Sequence, residues 1–252
     1  MATEANQTKG ASIEFRAIHK SFGDNWVLRG LSLQVKPGET TVILGRSGCG
    51  KSVLLKILLG LIRPDSGEVW IDGSEISGLR EPELLPIRKQ IGMLFQGSAL
   101  FDSLTVGENV AYWLREHTRL SDEEIAARVA QCLRFVDMEG TEELMPSQLS
   151  GGMRKRVALA RAMISEPRVM LYDEPTTGLD PITATTINAL IRKTQQELGV
   201  TSIVVTHELE SAFSVAHRLA VINEGVIVAV GTKEEVKASG DEFVQTFLAG
   251  PR

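Results

Sequence analysis

The sequence predicts an α/β fold, with a largely parallel sheet at its centre, an antiparallel β segment ahead of it and a helical stretch inserted partway along. Three observations carry that expectation. Thr41-Val42-Ile43-Leu44 is a short, continuously apolar run that enters a glycine-rich loop, Gly45-Arg46-Ser47-Gly48-Cys49-Gly50-Lys51-Ser52, and a buried helix follows. Two further β-branched apolar runs, at 169–172 and 202–206, are each followed by helical sequence, the alternation that builds a parallel sheet. Between about 97 and 166 the strand patterning gives way to helical patterning.

Each element can be justified in turn. Residues 12–19 and 31–35 alternate apolar and polar side chains, as strands with one covered face do, and Phe22-Gly23-Asp24-Asn25 supplies the turn between them. The 41–44 strand and its loop come next, and the helix after the loop is expected over 51–61. Residues 67–72 and 91–95 read as two further strands. Thr105-Val106-Gly107-Glu108 and Ser121-Asp122-Glu123-Glu124 each match a capping box, in which a hydroxyl and a carboxylate satisfy each other's backbone donors. Helices are therefore expected to start near 106 and 122. Ser150 reads as the N-cap of another helix, with Gly151 and Gly152 leaving its first turn open to close approach. Asp180-Pro181 supplies an N-cap and a proline at the first helical position. Two apolar runs flanking Asn223-Glu224-Gly225 predict a hairpin over 219–230. No repeat, low-complexity segment or flexible linker interrupts this order. The chain reads as a single domain, 1–252, with a core over about 12–96 and 167–248 and a helical subdomain over about 97–166.

Composition excludes several classes of function. The 252 residues carry a net charge of −5, so no cationic excess exists to neutralise a phosphate backbone, and no nucleic-acid partner is expected. The run Arg154-Lys155-Arg156 is short and reads as a solvated helix face. Two cysteines, Cys49 and Cys132, make neither a disulfide framework nor a metal cluster, which suits a reducing cytoplasm. Residues 1–11 have no basic region followed by an apolar one, so they do not read as a secretory signal. The longest apolar stretch, 53–62, is interrupted by Lys56 and Gly60 and is too short to span a bilayer. Any membrane role is expected to come through a partner.

The loop fits G-x-x-x-x-G-K-[ST] in full and has the strand–loop–helix context that the motif requires. Its glycines let backbone N–H groups turn toward phosphates, and the positive end of the following helix adds to them. Lys51 is expected to reach the outer phosphates of a nucleotide and Ser52 to hold Mg²⁺. The 169–172 run delivers Asp173 and Glu174 to the C-terminal end of a strand, where open α/β sheets bind ligands. Asp173 is expected to support Mg²⁺ and Glu174 to polarise an attacking water, chiefly by positioning it. Leu149-Ser150-Gly151-Gly152-Met153 is a second phosphate-directed element, because an open helix start is an anion site. One nucleotide rarely needs both elements from one molecule, so the chain is expected to work as a pair.

This set of motifs resembles the ATP-binding-cassette (ABC) transporter ATPases, and the resemblance covers nearly the whole chain. It implies a P-loop NTPase fold with a RecA-like core, an N-terminal antiparallel β subdomain and an inserted helical subdomain. It also implies ATP as the nucleotide and a head-to-tail ATP-sandwich dimer. In that dimer the turn at Ser150, Gly151 and Gly152 clamps the γ-phosphate held by the loop Gly45, Arg46, Ser47, Gly48, Cys49, Gly50, Lys51 and Ser52 of the other copy. By the same resemblance Gln96 is the Q-loop glutamine that senses Mg²⁺ and the attacking water, and His207 is the switch histidine that contacts the γ-phosphate. Asp180, in Thr177-Gly178-Leu179-Asp180, is the D-loop aspartate that couples the two sites. Phe22 occupies the place of an aromatic that stacks on adenine, with core packing as its rival role. Met153 stands where the family usually has glutamine, which removes the reciprocal half of a capping box and leaves the anion site intact.

Leu94-Phe95-Gln96-Gly97-Ser98-Ala99-Leu100-Phe101-Asp102-Ser103-Leu104-Thr105-Val106, Glu108-Asn109-Val110-Ala111-Tyr112 and Leu114-Arg115-Glu116-His117-Thr118 are similar to the ATPase of the maintenance-of-lipid-asymmetry (Mla) transporters, as is Met153. Trp113 departs from that pattern, which has proline there. The resemblance implies a transmembrane permease, an MCE-domain lipid-binding protein and a small STAS-type accessory protein as partners. It implies phospholipid movement between inner and outer envelope membranes, from a peripheral position on the cytoplasmic face of the inner membrane. The alternatives are the ATPase of another ABC importer or exporter, and a soluble ABC ATPase of DNA repair or translation. A P-loop kinase would leave residues 149–152 without a role.

Two local expectations complete the reading. Residues 96–105 are unusually apolar for a connecting loop, with Ala99, Leu100, Phe101 and Leu104; such a patch is expected to receive a short helix of the permease, with packing inside the helical subdomain as the alternative. The positively polarised loop around Cys49 is expected to favour its thiolate where solvent reaches it, with a buried, inert thiol as the rival reading.

Overall fold

The computed structural model describes residues 9–249; residues 1–8 and 250–252 lie outside the described residues, and with them most of the 1–11 segment and both ends of the 1–252 domain. Strands β1 (Ile13–Phe22) and β2 (Asn25–Val35) form a hairpin that turns at Gly23-Asp24. Strand β3 (Thr40–Leu44) enters the glycine-rich loop and α1 (Lys51–Leu58) leaves it. Strands β4 (Ser66–Ile71) and β5 (Ser74–Glu75) complete a four-stranded antiparallel sheet in the order β2-β1-β4-β5.

A short helix, α2 (Glu81–Arg88), leads to β6 (Ile91–Leu94). Three helices follow, α3 (Val106–His117), α4 (Asp122–Phe135) and α5 (Gly151–Met163). The chain then returns to β7 (Val169–Asp173), α6 (Pro181–Leu198), β8 (Thr201–Thr206), α7 (Leu209–Val215), and the hairpin of β9 (Arg218–Asn223) and β10 (Val226–Gly231). Helices α8 (Lys233–Lys237) and α9 (Glu242–Ala249) end the described chain. The second sheet has the order β10-β9-β3-β8-β7-β6, parallel from β9 to β6 and antiparallel at β10.

The period-two geometry of strands explains how this sheet is covered on both faces. Ile43, Val169, Leu171, Ile203, Val205, Ala220 and Ile222 point to one side, where they pack with α1 and the inner face of the antiparallel sheet. Their neighbours Val42, Leu44, Met170, Tyr172, Val204, Leu219 and Val221 point to the other side, against the core shared with α3 to α7. Helix α1 is thus held between two sheets, and its N-terminus is fixed at the end of β3. Both expected capping boxes form. Glu108 N donates to Thr105 Oγ1 at 3.2 Å while Thr105 N donates to Glu108 Oε2 at 2.8 Å, and Ser121 and Glu124 repeat the exchange.

One local expectation is corrected, and one helix adds to the expected elements. Helix α1 stops at Leu58 rather than 61, because Gly60 turns left-handed (φ 66°) and its N–H closes on Ile57 O. Helix α2 forms despite Pro82 and Pro86. Pro82 sits in the first turn, where its missing N–H costs nothing, and Glu83 caps the start through Arg80 N.

Candidate active site

The loop after β3 wraps its own lysine. Lys51 is buried, and its ammonium donates to Gly45 O at 2.8 Å and Arg46 O at 3.1 Å. Gly50 caps α1 at φ 102°, and a Cβ there would also lie 2.8 Å from the Leu28 side chain, so backbone geometry and packing both require glycine. Arg46, Ser47 and Gly48 are exposed, and the Arg46 guanidinium lies 5.4 Å from the Phe243 ring of α9.

Strand β7, flanked by β6 and β8, carries Asp173 and Glu174 to the same edge. Ser52 Oγ donates to Asp173 Oδ1 at 2.7 Å, which sets a hydroxyl and a carboxylate side by side. Both are hard oxygen donors of the kind Mg²⁺ takes. Glu174 adopts a left-handed backbone (φ 47°), a conformation that costs a non-glycine residue about 1–3 kcal/mol. Its N–H is tied to Val205 O at 2.9 Å.

The Glu174 carboxylate is held by both oxygens. Oε1 lies 3.4 Å from Lys51 Nζ; Oε2 accepts Thr177 Oγ1 at 3.0 Å and faces His207 Nδ1 at 2.9 Å. Burial pushes its pKa up, but the His207 hydrogen bond, the Lys51 charge and Thr177 outweigh burial and hold it below the usual carboxylate range. The group is therefore an anion at neutral pH. Lys51 and His207 meet at the Glu174 carboxylate, and the Ser52–Asp173 pair adjoins them along the chain.

The remaining sites fall around this cluster. Gln96 is exposed in the turn after β6, and its backbone carbonyl accepts the ammonium of Lys155. Phe22 is 49% exposed at the tip of the β1–β2 hairpin, with Lys20 Nζ 5.4 Å from its ring, so it is free of the core. Ser150 caps α5, its Oγ accepting Met153 N at 3.2 Å, and no reciprocal bond comes back from Met153. Asp180 caps α6 by accepting Ile182 N at 3.1 Å and Thr183 N at 3.0 Å.

Three expectations need correction. Gly152 is buried rather than open: a Cβ there would lie 2.4 Å from Thr183 Cγ2, so its missing side chain lets α5 meet the start of α6, and only Gly151 and Ser150 are exposed. The Arg154-Lys155-Arg156 run is not a solvated face, because Lys155 is 4% exposed and Arg154 and Arg156 donate to Leu149 O and Asp137 O. Cys49 is half-buried against the α1 core, and burial raises its pKa more than Lys51 and the backbone N–H groups lower it, so the thiol form prevails.

Two residues inside quoted motifs make contacts that the motifs did not assign to them. Thr177 orients Glu174, and Asn109 organises the 101–105 turn: its amide accepts Phe101 N at 2.8 Å and donates to the carbonyls of Phe101, Leu104 and Thr105. Helical spacing could have found Lys155, which shares a face with the buried Gly152, Ala158, Leu159 and Ala162. The expected apolar patch is split. Leu100 packs against the core, whereas Phe101 is 43% exposed and packs at a tilt against Tyr112 (centroids 4.9 Å apart). Phe95, Ala99, Phe101, Tyr112 and Trp113 line a groove of about 430 Å³.

Comparison with known proteins sets this geometry in context. A family model described as ABC transporter matches residues 28–177. The intermembrane phospholipid transport system ATP-binding protein MlaF of Haemophilus influenzae is 42% identical over 94% of this chain and 90% of its own length. Protein Trigalactosyldiacylglycerol 3, chloroplastic, of Arabidopsis thaliana is 43% identical over 94% of this chain and 73% of its own. A solved dimeric ATP-binding cassette in a post-hydrolysis state, bound to ADP and Pi, superposes with a TM-score of 0.80 at 35% identity. That match covers 87% of this chain and 98% of the other.

Proposed function

The chain belongs to the ABC transporter family, and we propose that within it the chain powers the movement of phospholipid between two membranes. It is the ATP-hydrolysing subunit of a membrane transporter and works with a permease and a second ATP-binding subunit. Among the described residues no helix is long and apolar enough to cross a membrane, so the permease must supply the path. The lipid reading is supported by identity over nearly the full chain to a relative whose name refers to intermembrane phospholipid transport and to another whose name is that of a galactolipid. We assign the permease to the cytoplasmic side contact at the Phe101 groove, with an MCE-domain lipid-binding protein and a small STAS-type protein completing the assembly at the inner membrane.

The observation that carries the catalytic assignment is the Glu174 carboxylate, ionised and held between Lys51 and His207. In this reading the loop N–H groups and the N-terminus of α1 receive the phosphates, and Lys51 exchanges its loop carbonyls for phosphate oxygens. Ser52 and Asp173 would hold Mg²⁺, with Gln96 facing it from the β6 turn, and the ion would supply charge neutralisation at the phosphates. Glu174 orients the attacking water, and His207 fixes the carboxylate while contacting the outer phosphate. Phosphoryl transfer needs little more than such positioning and charge. Ser150 and Gly151 meet the nucleotide of the opposite copy, Asp180 stands beside that contact, and Phe22 stacks on adenine. The test is to isolate the complex from membranes on a tagged copy of this chain and identify its bound molecules by mass spectrometry. Co-purified phospholipid with ATP-dependent release supports the reading. A complex devoid of lipid would move the chain to another ABC importer or exporter.

A further inference from the structure

Lys155 projects from the second turn of α5 into the protein and ends among main-chain oxygens. Its ammonium donates to the carbonyl of Gln96, and lies 3.5 Å from Phe95 O and 3.4 Å from Glu174 O. Among the described residues it has no carboxylate within ion-pair distance, although the charges of Asp173, Glu174 and Glu208 surround it. Burying a cation on carbonyls alone is expensive, and an apolar side chain of equal length would avoid that cost. Stability is therefore a poor account of this lysine.

Its acceptors give a better one. Phe95 and Gln96 leave the end of β6, and Glu174 leaves the end of β7, two parallel neighbours in register at Leu94 and Tyr172. One ammonium thus bridges the ends of both strands. The left-handed peptide at Glu174 is gripped from two sides, by Val205 O on its N–H and by Lys155 on its carbonyl. The same helix begins at Ser150, the exposed cap.

We propose that Lys155 is a positioning residue that locks the Gln96 turn and the Glu174 peptide to each other and ties both to α5. The carboxylate of Glu174 and the amide of Gln96 then keep one mutual geometry, and any displacement of the Ser150 end of α5 reaches both through a single side chain. This inference rests on the roles given above to Glu174 and Gln96.

The test uses the full chain in its membrane complex and measures ATP hydrolysis. Lys155→Met keeps the length and removes every donor. It is expected to lower kcat at least about tenfold while changing the KM for ATP by less than about threefold, because small misplacements of catalytic groups act on turnover. Its Tm should not fall, and Lys155→Arg should recover part of the lost kcat. In a double-mutant cycle, Lys155→Met with Gln96→Ala should cost less than the product of the two separate losses. Wild-type kcat in Lys155→Met, strict additivity with Gln96→Ala, or a loss in KM and Tm that Lys155→Arg does not repair would each overturn the proposal. If Lys155→Met fails to fold, Lys155→Gln decides: a folded Gln variant with wild-type kcat overturns the proposal, and one with lowered kcat and unchanged KM upholds it. Glu174→Gln is run in parallel. Retained turnover there removes the underlying reading, whereas its loss beside an active Lys155→Met removes this inference alone.

Discussion

His207 Nδ1 sits 2.9 Å from Glu174 Oε2, on the oxygen that also accepts Thr177 Oγ1, while Oε1 faces Lys51. The two oxygens of one carboxylate are thereby assigned to different neighbours, and rotation of the group would break both sets of contacts. The strained backbone at Glu174 points the same way, since a left-handed glutamate persists only where its surroundings over-determine it.

The first prediction follows from that constraint. Glu174→Gln preserves shape but removes the charge, so ATP binding should persist while turnover falls at least about a hundredfold. His207→Ala should give a smaller fall, because Thr177 and Lys51 still hold the carboxylate. Steady-state hydrolysis alongside nucleotide binding measures both; wild-type turnover in Glu174→Gln would exclude it from the mechanism.

The second prediction concerns pairing. Ser150 and Gly151 are exposed at the start of α5, and within the described residues the Ser150 hydroxyl is engaged only by Met153 N. ATP should drive the Glu174→Gln protein into dimers, and Ser150→Arg should block this by placing bulk on the open turn. Light scattering with and without Mg-ATP reads the mass directly. A Ser150→Arg protein that still dimerises would remove the turn from the interface.

What was legible in the sequence has a clear physical limit. The strands of the parallel sheet and the loop at 45–52 could be read because burial on both faces makes each strand a continuous apolar run and the loop's residue types all fall within one short segment, although their partners are distant in the chain. The caps at Thr105, Ser121, Ser150 and Asp180 are equally local, each bonding within three residues. Lys155 was hidden because its partners lie 59 and 19 residues away and its flanking arginines suggested solvent. Gly152 was misread for the same reason, since the atom that demands glycine belongs to Thr183 on another helix. Local rules cannot price an interaction whose second member is distant in the chain.

Cys49 gives the third prediction, reversed in sign by its surroundings. Burial raises its thiol pKa above the ordinary value, so less thiolate is present at neutral pH than in a free cysteine. Maleimide labelling of Cys49 should therefore be slow at pH 7 and accelerate as pH rises. Cys132, pushed up to about 11 by burial, should be slower still. Rapid labelling of Cys49 at neutral pH with protection by Mg-ATP would restore the thiolate reading.

The fourth prediction uses Asp65, which ties the segment after α1 to the β1 strand. Its carboxylate accepts Lys20 Nζ at 2.6 Å, Ser21 N at 2.7 Å and Ser21 Oγ at 2.8 Å, and these bonds, Lys20 foremost, hold its pKa at about 2. A depressed acid stabilises the fold above its unfolded pKa, near 3.8, and that contribution is lost as pH falls toward 2. Asp65→Asn should lower Tm at pH 7, and the gap to wild type should close across that acid window. A gap that stays constant with pH would mean the effect is packing rather than ionisation.

The last prediction concerns the groove beside Phe101. The turn that carries this ring is rigid, with Asn109 binding it from within and Arg161 donating to Ala99 O at 2.7 Å and Ser98 O at 3.0 Å. Ser98 and Ala99 are both left-handed, at φ 64° and 49°, so the loop spends strain to hold this shape. An exposed ring on a fixed loop, facing a groove of about 430 Å³, has the form of a docking surface rather than of core packing. Phe101→Asp should therefore release the chain from membranes while leaving it folded and able to bind ATP. Fractionation, a thermal melt and nucleotide binding together separate the outcomes. A protein that unfolds would return Phe101 to the core, and one that stays folded on the membrane would place the permease contact elsewhere.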